Sequence, residues 1–170
     1  MPENWKSKSW DSMISGELCP VCDLVCADAH EDEHLIRVCD LTLSQLYLAK
    51  NQFVKGYCVL ICRRHVIELS ELSRPERAAY FDEVALAASV LQKVFAADKM
   101  NYNILGNVSP HLHTHILPRY FTDSAPNRPI DSALKGHEIF LTASEYQERI
   151  NLIADQIQKQ LPPLAASASR

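Results

Sequence analysis

The chain has 170 residues, 47% of them hydrophobic and 22% charged, which fits one folded domain with a core of its own. Its 17 basic and 21 acidic residues leave a net charge of −4 with no long basic run, which argues against a phosphate-reading nucleic-acid binder. No apolar run approaches the roughly 18 residues of a membrane span and the start lacks a signal-type apolar stretch, so a cytoplasmic protein with no membrane partner is expected.

Residues 4–16 read as a short helix that Gly16 ends, just ahead of Cys19-Pro20-Val21-Cys22. HLIRVCD (34–40) and LTLSQLYLA (41–49) alternate in part and carry β-branched or aromatic residues, so they read as strands. GYCVLICR (56–63) is an apolar run of strand length with Gly at its start. The clearest helix follows. Ser73 and Glu76 form a capping box, Pro75 sits in the first turn, and apolar residues recur at helical spacing, with the stripe over 78–97 facing a core. NYNILGN (101–107) and HLHTHILP (111–118) predict two more strands joined by a tight GNVSP turn. A polar loop covers 121–136, a helix spans 143–161, and residues 162–170 form a frayed tail. No repeat or linker divides residues 1–170. The expectation is a single α+β domain, with an antiparallel sheet of about five strands, one long helix and a C-terminal helix.

On a strand, alternate side chains share a face at a spacing of about 6.6 Å. His111, His113 and His115 are then one row of imidazoles, with Leu112, Thr114 and Ile116 on the other face. The residues alone leave two functional readings open. Three imidazoles could hold one catalytic zinc with a water in the fourth position. Alternatively, one neutral imidazole could attack an electrophile while its neighbours orient it and serve the leaving group. In a reducing compartment the six cysteines read as metal-binding or chemical rather than as a disulfide framework. Cys19, Cys22, His65 and His111 would make a Cys2His2 set, the closed, structural kind of zinc site. His30 and His34 lie among acids near Cys26 and read as a solvated loop, and His137 as a surface residue. Cys39, Cys58 and Cys62 fall in apolar strand contexts and read as small buried hydrophobes.

NYNILGNVSPHLHTHILPR resembles the signature of the histidine triad (HIT) superfamily, H-φ-H-φ-H-φ-φ, followed by Pro-Arg. GYCVLICRRHVIELSELS resembles the strand and segment that precede the long helix in that family. The likeness covers a triad-bearing core of about residues 17–120, with 121–161 as a C-terminal extension and helix. It implies a HIT-like fold and a structural zinc on Cys19, Cys22, His65 and His111, as in some HIT hydrolases and galactose-1-phosphate uridylyltransferases. It implies that His113 attacks the α-phosphorus of a nucleotide while the His111 carbonyl holds its other ring nitrogen. An imidazole of ordinary pKa, about 6.5, supplies the neutral ring this needs. His115 then assists the leaving group; it stands where the uridylyltransferases usually carry Gln, which points to the hydrolase branches. The implied activity is hydrolysis of a nucleoside phosphoramidate or dinucleoside polyphosphate, with an adenine nucleotide as substrate and a homodimer as the assembly. Nucleotide binding without turnover and nucleotidyl transfer are the alternatives.

The chain departs from the family pattern at several positions. LGNVSP replaces a common G-Q-[ST], which leaves Asn107 in the Gln position and Ser109 one residue out of register. Ala49 stands where an Asp or Asn commonly binds ribose, with Asn51 or Gln52 as substitutes. Tyr57 follows Gly56 where the family often has His, and Cys62 replaces a common Pro. Arg119 is a further candidate for the phosphates.

Overall fold

A computed structural model describes residues 10–27, 30–123, 126–130 and 138–161. Five strands, β1 (Leu35–Asp40), β2 (Ser44–Ala49), β3 (Cys58–Cys62), β4 (Lys99–Asn103) and β5 (His113–Arg119), form one antiparallel sheet in the order β1-β2-β3-β5-β4. β2 and β3 are buried along their whole length, which suits near-continuous apolar strands covered on both faces.

The α-helices among the described residues are α1 (Trp10–Ile14), α2 (Pro20–Cys26), α3 (Arg74–Phe95) and α4 (Ala143–Gln160). α3 starts where the sequence predicts. Ser73 accepts from the Glu76 amide, and the Glu76 side chain bonds back to the Ser73 amide, satisfying two otherwise orphan donors. Its Tyr80, Val84, Ala87, Ala88 and Leu91 pack on Leu46, Leu48, Leu60, Cys62 and Ile116 of the sheet. α4 closes the same core with Ile150, Ile153 and Ile157. The opposite face of the sheet is covered in part by α2, whose Leu24 and Val25 cluster with Tyr47, Val59 and Ile61. Helix α2 and the β5 histidines thus meet the sheet where it carries no long helix.

Several boundaries differ from the sequence reading. The helix expected over 4–16 is Trp10–Ile14 among the described residues, and α2 was not anticipated at all. Its signals are weak: Cys19 is the N-cap and Pro20 fills the first helical position, a preorganised start for a helix of only seven residues. The strand expected from Leu41 begins at Ser44, because the buried Glu83 carboxylate accepts from the Leu43 amide at 2.8 Å and the Ser44 hydroxyl at 2.5 Å. The strand expected over 101–107 is Lys99–Asn103. The segment 104–112 is a loop, turned by Gly106 at a φ of +99°. β5 begins at His113, so His111 lies just before the strand and not within it. The expected tail 162–170, His137, and residues 124–125 and 131–136 of the expected loop lie outside the described residues.

Candidate active site and metal centre

Three parts of the chain bring the four candidate metal ligands together. Cys19 and Cys22 come from the first turn of α2, His65 from the segment after β3, and His111 from the lead into β5. Their donor atoms all lie within 4.8 Å of one another. Cys19 Sγ is 3.5 Å and Cys22 Sγ 3.4 Å from His111 Nδ1, Cys22 Sγ is 3.2 Å from His65 Nδ1, and the two Nδ1 atoms are 3.3 Å apart. A tetrahedral zinc with Zn–S of about 2.3 Å and Zn–N of about 2.05 Å has S–N edges of about 3.5 Å and an N–N edge of about 3.3 Å. The donor spacing fits that ion.

Ring tautomers agree with the spacing. His111 Nε2–H donates to the Cys62 carbonyl at 2.7 Å and His65 Nε2–H to the Ile14 carbonyl at 3.0 Å, so each Nδ1 is a bare lone pair facing the other. A cation between them removes that repulsion, and the carbonyls orient the rings as outer-shell partners do in metal sites. Burial, and then Cys19, push the Cys22 thiol up to about 12, so an entering metal displaces a proton from it. Gly16, at a φ of +85°, lets the chain after α1 pass His65: a Cβ there would lie 3.4 Å from the ring.

Beside this cluster lie His113 and His115 on β5, their ring centroids 4.8 Å apart and nearly perpendicular. His113 Nδ1–H donates to the His111 carbonyl at 2.6 Å, which leaves Nε2 as the free lone pair. That carbonyl is held by its surroundings: the His111 ring is clamped as above, and Leu112 bonds Val66 and Cys62 on either side, at 2.6 and 3.0 Å. His115 Nδ1 lies 2.6 Å from the Tyr57 hydroxyl. Burial, and then His113, lower His115 to about 4, so the ring is neutral at physiological pH. Among the described residues, the group able to hold a metal is Cys19, Cys22, His65 and His111, without His113 and His115.

The remaining candidates are placed less directly. Asn107 and Ser109 lie in the bend that leads into the triad, Asn107 exposed and Ser109 half-buried. Gln52 is not brought to the histidines: its amide donates to the Ala49 and Tyr57 carbonyls and accepts from the Gly56 amide and Arg149. Asn51 accepts from the Phe53 and Ile139 amides. Both therefore build the loop between β2 and β3 and tie it to the segment before α4. Arg119 is 4% exposed and bonds Asp123, Asn101 and the Arg128 carbonyl. It sits four residues along β5 from His115, about 13 Å away, and holds the segment after the strand.

Tyr57, a departure from the family pattern in the sequence, stands beside the histidines. Its signal was its place just ahead of β3, the strand paired directly with β5. Asn103 was not singled out; it stands opposite His115 in the β4–β5 register, where directly paired residues share a face.

The chain is 30% identical over 113 residues to a bis(5'-nucleosyl)-tetraphosphatase (asymmetrical) from Schizosaccharomyces pombe, covering 61% of this chain and 62% of that protein. It is 37% identical over 73 residues to a bis(5'-adenosyl)-triphosphatase from Saccharomyces cerevisiae, covering 39% of this chain and 35% of that protein. The chain thus spans less than two thirds of the length of these curated relatives. A solved histidine triad protein from Bradyrhizobium japonicum superposes with a TM-score of 0.67 at 28% identity, over 74% of this chain and 92% of that one. Residues 32–122, a span that holds all five strands and α3, match the HIT domain, and the chain belongs to that family.

Proposed function

We propose that this protein is a nucleotide hydrolase that cleaves at the α-phosphate of a dinucleoside polyphosphate or a nucleoside phosphoramidate through a covalent nucleotidyl-His113 intermediate. One observation carries the reading: the 2.6 Å bond between His113 Nδ1 and the His111 carbonyl, which turns Nε2 away from the backbone. A neutral ring held this way is a nucleophile at physiological pH. The neighbouring His115 supports it as a donor toward the leaving group. The names of the two curated relatives, a dinucleoside tetraphosphatase and a triphosphatase, support the substrate class, and an adenine nucleotide is the expected substrate. Asn107 and Ser109, in the bend before the triad, are proposed to meet the phosphates.

Cys19, Cys22, His65 and His111 would hold a structural zinc. When bound, it supplies a fixed position for the His111 backbone and no reacting group of its own. The resemblance carries a homodimer too; size-exclusion chromatography with light scattering tests it.

The test of the activity is the intact mass of rapidly quenched protein mixed with diadenosine tetraphosphate or adenosine phosphoramidate, wild type beside His113→Ala. The expected result is an adenylyl adduct on the wild type and none on the variant. An adduct on both moves the nucleophile off His113. Tight AMP binding with no adduct and no product from either substrate favours the binding-protein reading instead.

A further inference from the structure

We infer that Tyr57 is a positioning residue that locks His115 as its Nε2–H tautomer, and that this lock selects leaving groups that depart as stable oxyanions over amines. The inference rests on the hydrolase reading and narrows its substrate class to the dinucleoside polyphosphate.

Geometry holds the pair in register. The Tyr57 hydroxyl meets His115 Nδ1 at 2.6 Å, with ring centroids 5.9 Å apart and tilted by 36°. Tyr57 itself is fixed. Its amide donates to the Val54 carbonyl at 3.1 Å, its carbonyl accepts from the Ala49 amide and Gln52 Nε2, and Phe53 packs edge-on against its ring at 5.6 Å.

The protons follow from this contact. Burial is the main cause that pushes the Tyr57 phenol up to about 12, so it keeps its single proton, and the inference places that proton on the 2.6 Å contact with Nδ1. The neutral His115 ring must then carry its own proton on Nε2. His113 has the reverse arrangement, Nδ1–H on a carbonyl and Nε2 bare. Two adjacent rings thus present opposite groups, a lone pair from His113 and an N–H from His115.

The chemical consequence concerns the leaving group. His113 Nε2 forms a bond to the α-phosphorus, the bond from that phosphorus to the bridging atom breaks, and its electron pair stays on the departing atom. A departing nucleoside polyphosphate is a stable anion and needs only the Nε2–H hydrogen bond; no proton changes hands. In the second step a water oxygen bonds to phosphorus, the P–Nε2 bond breaks with its pair returning to His113, and the water proton passes to solvent. An amine leaving group is different, because it must be protonated as the P–N bond breaks. His115 could give up its Nε2 proton only if the phenol proton moved to Nδ1 and left a buried tyrosinate behind. An imidazole at position 57 could pass a proton near neutral pH; this phenol does not.

The test compares kcat and KM on diadenosine tetraphosphate and on the adenosine phosphoramidate of a primary alkylamine, for wild type, Tyr57→Phe and Tyr57→His. Wild type is expected to favour the polyphosphate in kcat/KM by at least about 100-fold, the scale of a missing general acid. Tyr57→His should narrow that gap at least tenfold. Tyr57→Phe should lower kcat on the polyphosphate about 10- to 100-fold with KM nearly unchanged, since the lost orientation acts on the transition state. Equal turnover of the two compounds by wild type, or an unaffected Tyr57→Phe, overturns the inference. Nitrogen-15 NMR of the histidines reads the tautomer without substrate: Nε2–H on His115 in wild type supports it, and Nδ1–H overturns it whatever the kinetics. Turnover of neither compound by wild type overturns the hydrolase reading and its leaving-group selectivity together, while the NMR result still decides the lock.

Discussion

Burial, and then the neighbouring His113 ring, hold the His115 imidazole down at about 4, against about 6.5 for a free histidine. Between those pH values the unfolded chain binds a proton that the folded chain refuses, so stability is lost as pH falls through that window and the loss levels off below it. The full difference for His115 is on the order of 3 kcal/mol. His111, lowered chiefly by its own burial, adds a loss of the same sign. Urea denaturation at pH 7 and pH 5 should therefore show a lower midpoint at the acid pH, and His115→Gln should flatten part of that slope. An identical pH dependence in the variant would place the titrating group elsewhere. This neutrality is also what the proposed chemistry uses, since a protonated His115 could not accept the Tyr57 hydrogen bond.

At the scale of elements, the loop between β2 and β3 decides where Tyr57 stands. Gly56 turns it at a φ of +83°, and a Cβ there would lie 2.4 Å from the Phe95 ring of α3. Gln52 accepts from the Gly56 amide and from Arg149 of α4, and the Tyr146 hydroxyl bonds the Lys50 carbonyl at 2.5 Å. Both long helices therefore brace this loop. Gly56→Ala combines left-handed backbone strain with an overpacked contact, so a loss on the order of 2–4 kcal/mol is expected in thermal or urea unfolding. The variant should also weaken the Tyr57–His115 pair, seen as a change in the His115 nitrogen-15 shifts; wild-type stability would show that the Phe95 ring yields freely. The long helix α3 was legible in sequence because its cap, its proline and its stripe are local signals. The short helix α2 was not, since most of its stability comes from Leu24 and Val25 packing on Tyr47, Val59 and Ile61.

For the whole molecule, the four candidate metal ligands tie α2, the segment after β3 and the lead into β5 into one knot, with α1 attached through the His65–Ile14 bond. Chelation of metal-loaded protein should lower Tm by roughly 10 °C, as for a bound ligand worth a few kcal/mol in a chain of this size. Cys19→Ser should lower zinc content and Tm together, after which chelator changes little more. Unchanged Tm on chelation, with zinc removed as measured by mass spectrometry, would sink the structural role. Residue order alone marks the candidate groups: the alternating histidines, the close cysteine pair, and the strand and helix periods around them. These are local patterns, and local sterics and hydrophobic period set them. Tertiary contacts alone reveal which backbone carbonyls hold the His65, His111 and His113 rings, and that Asn51, Gln52 and Arg119 are engaged in holding the fold. Those outcomes depend on partners far apart in the chain. Tyr57 and His115 are separated by 58 positions, Cys22 and His111 by 89, and Gln52 and Arg149 by 97. Sheet register and helix packing bring such groups within hydrogen-bond reach, and no local pattern records that.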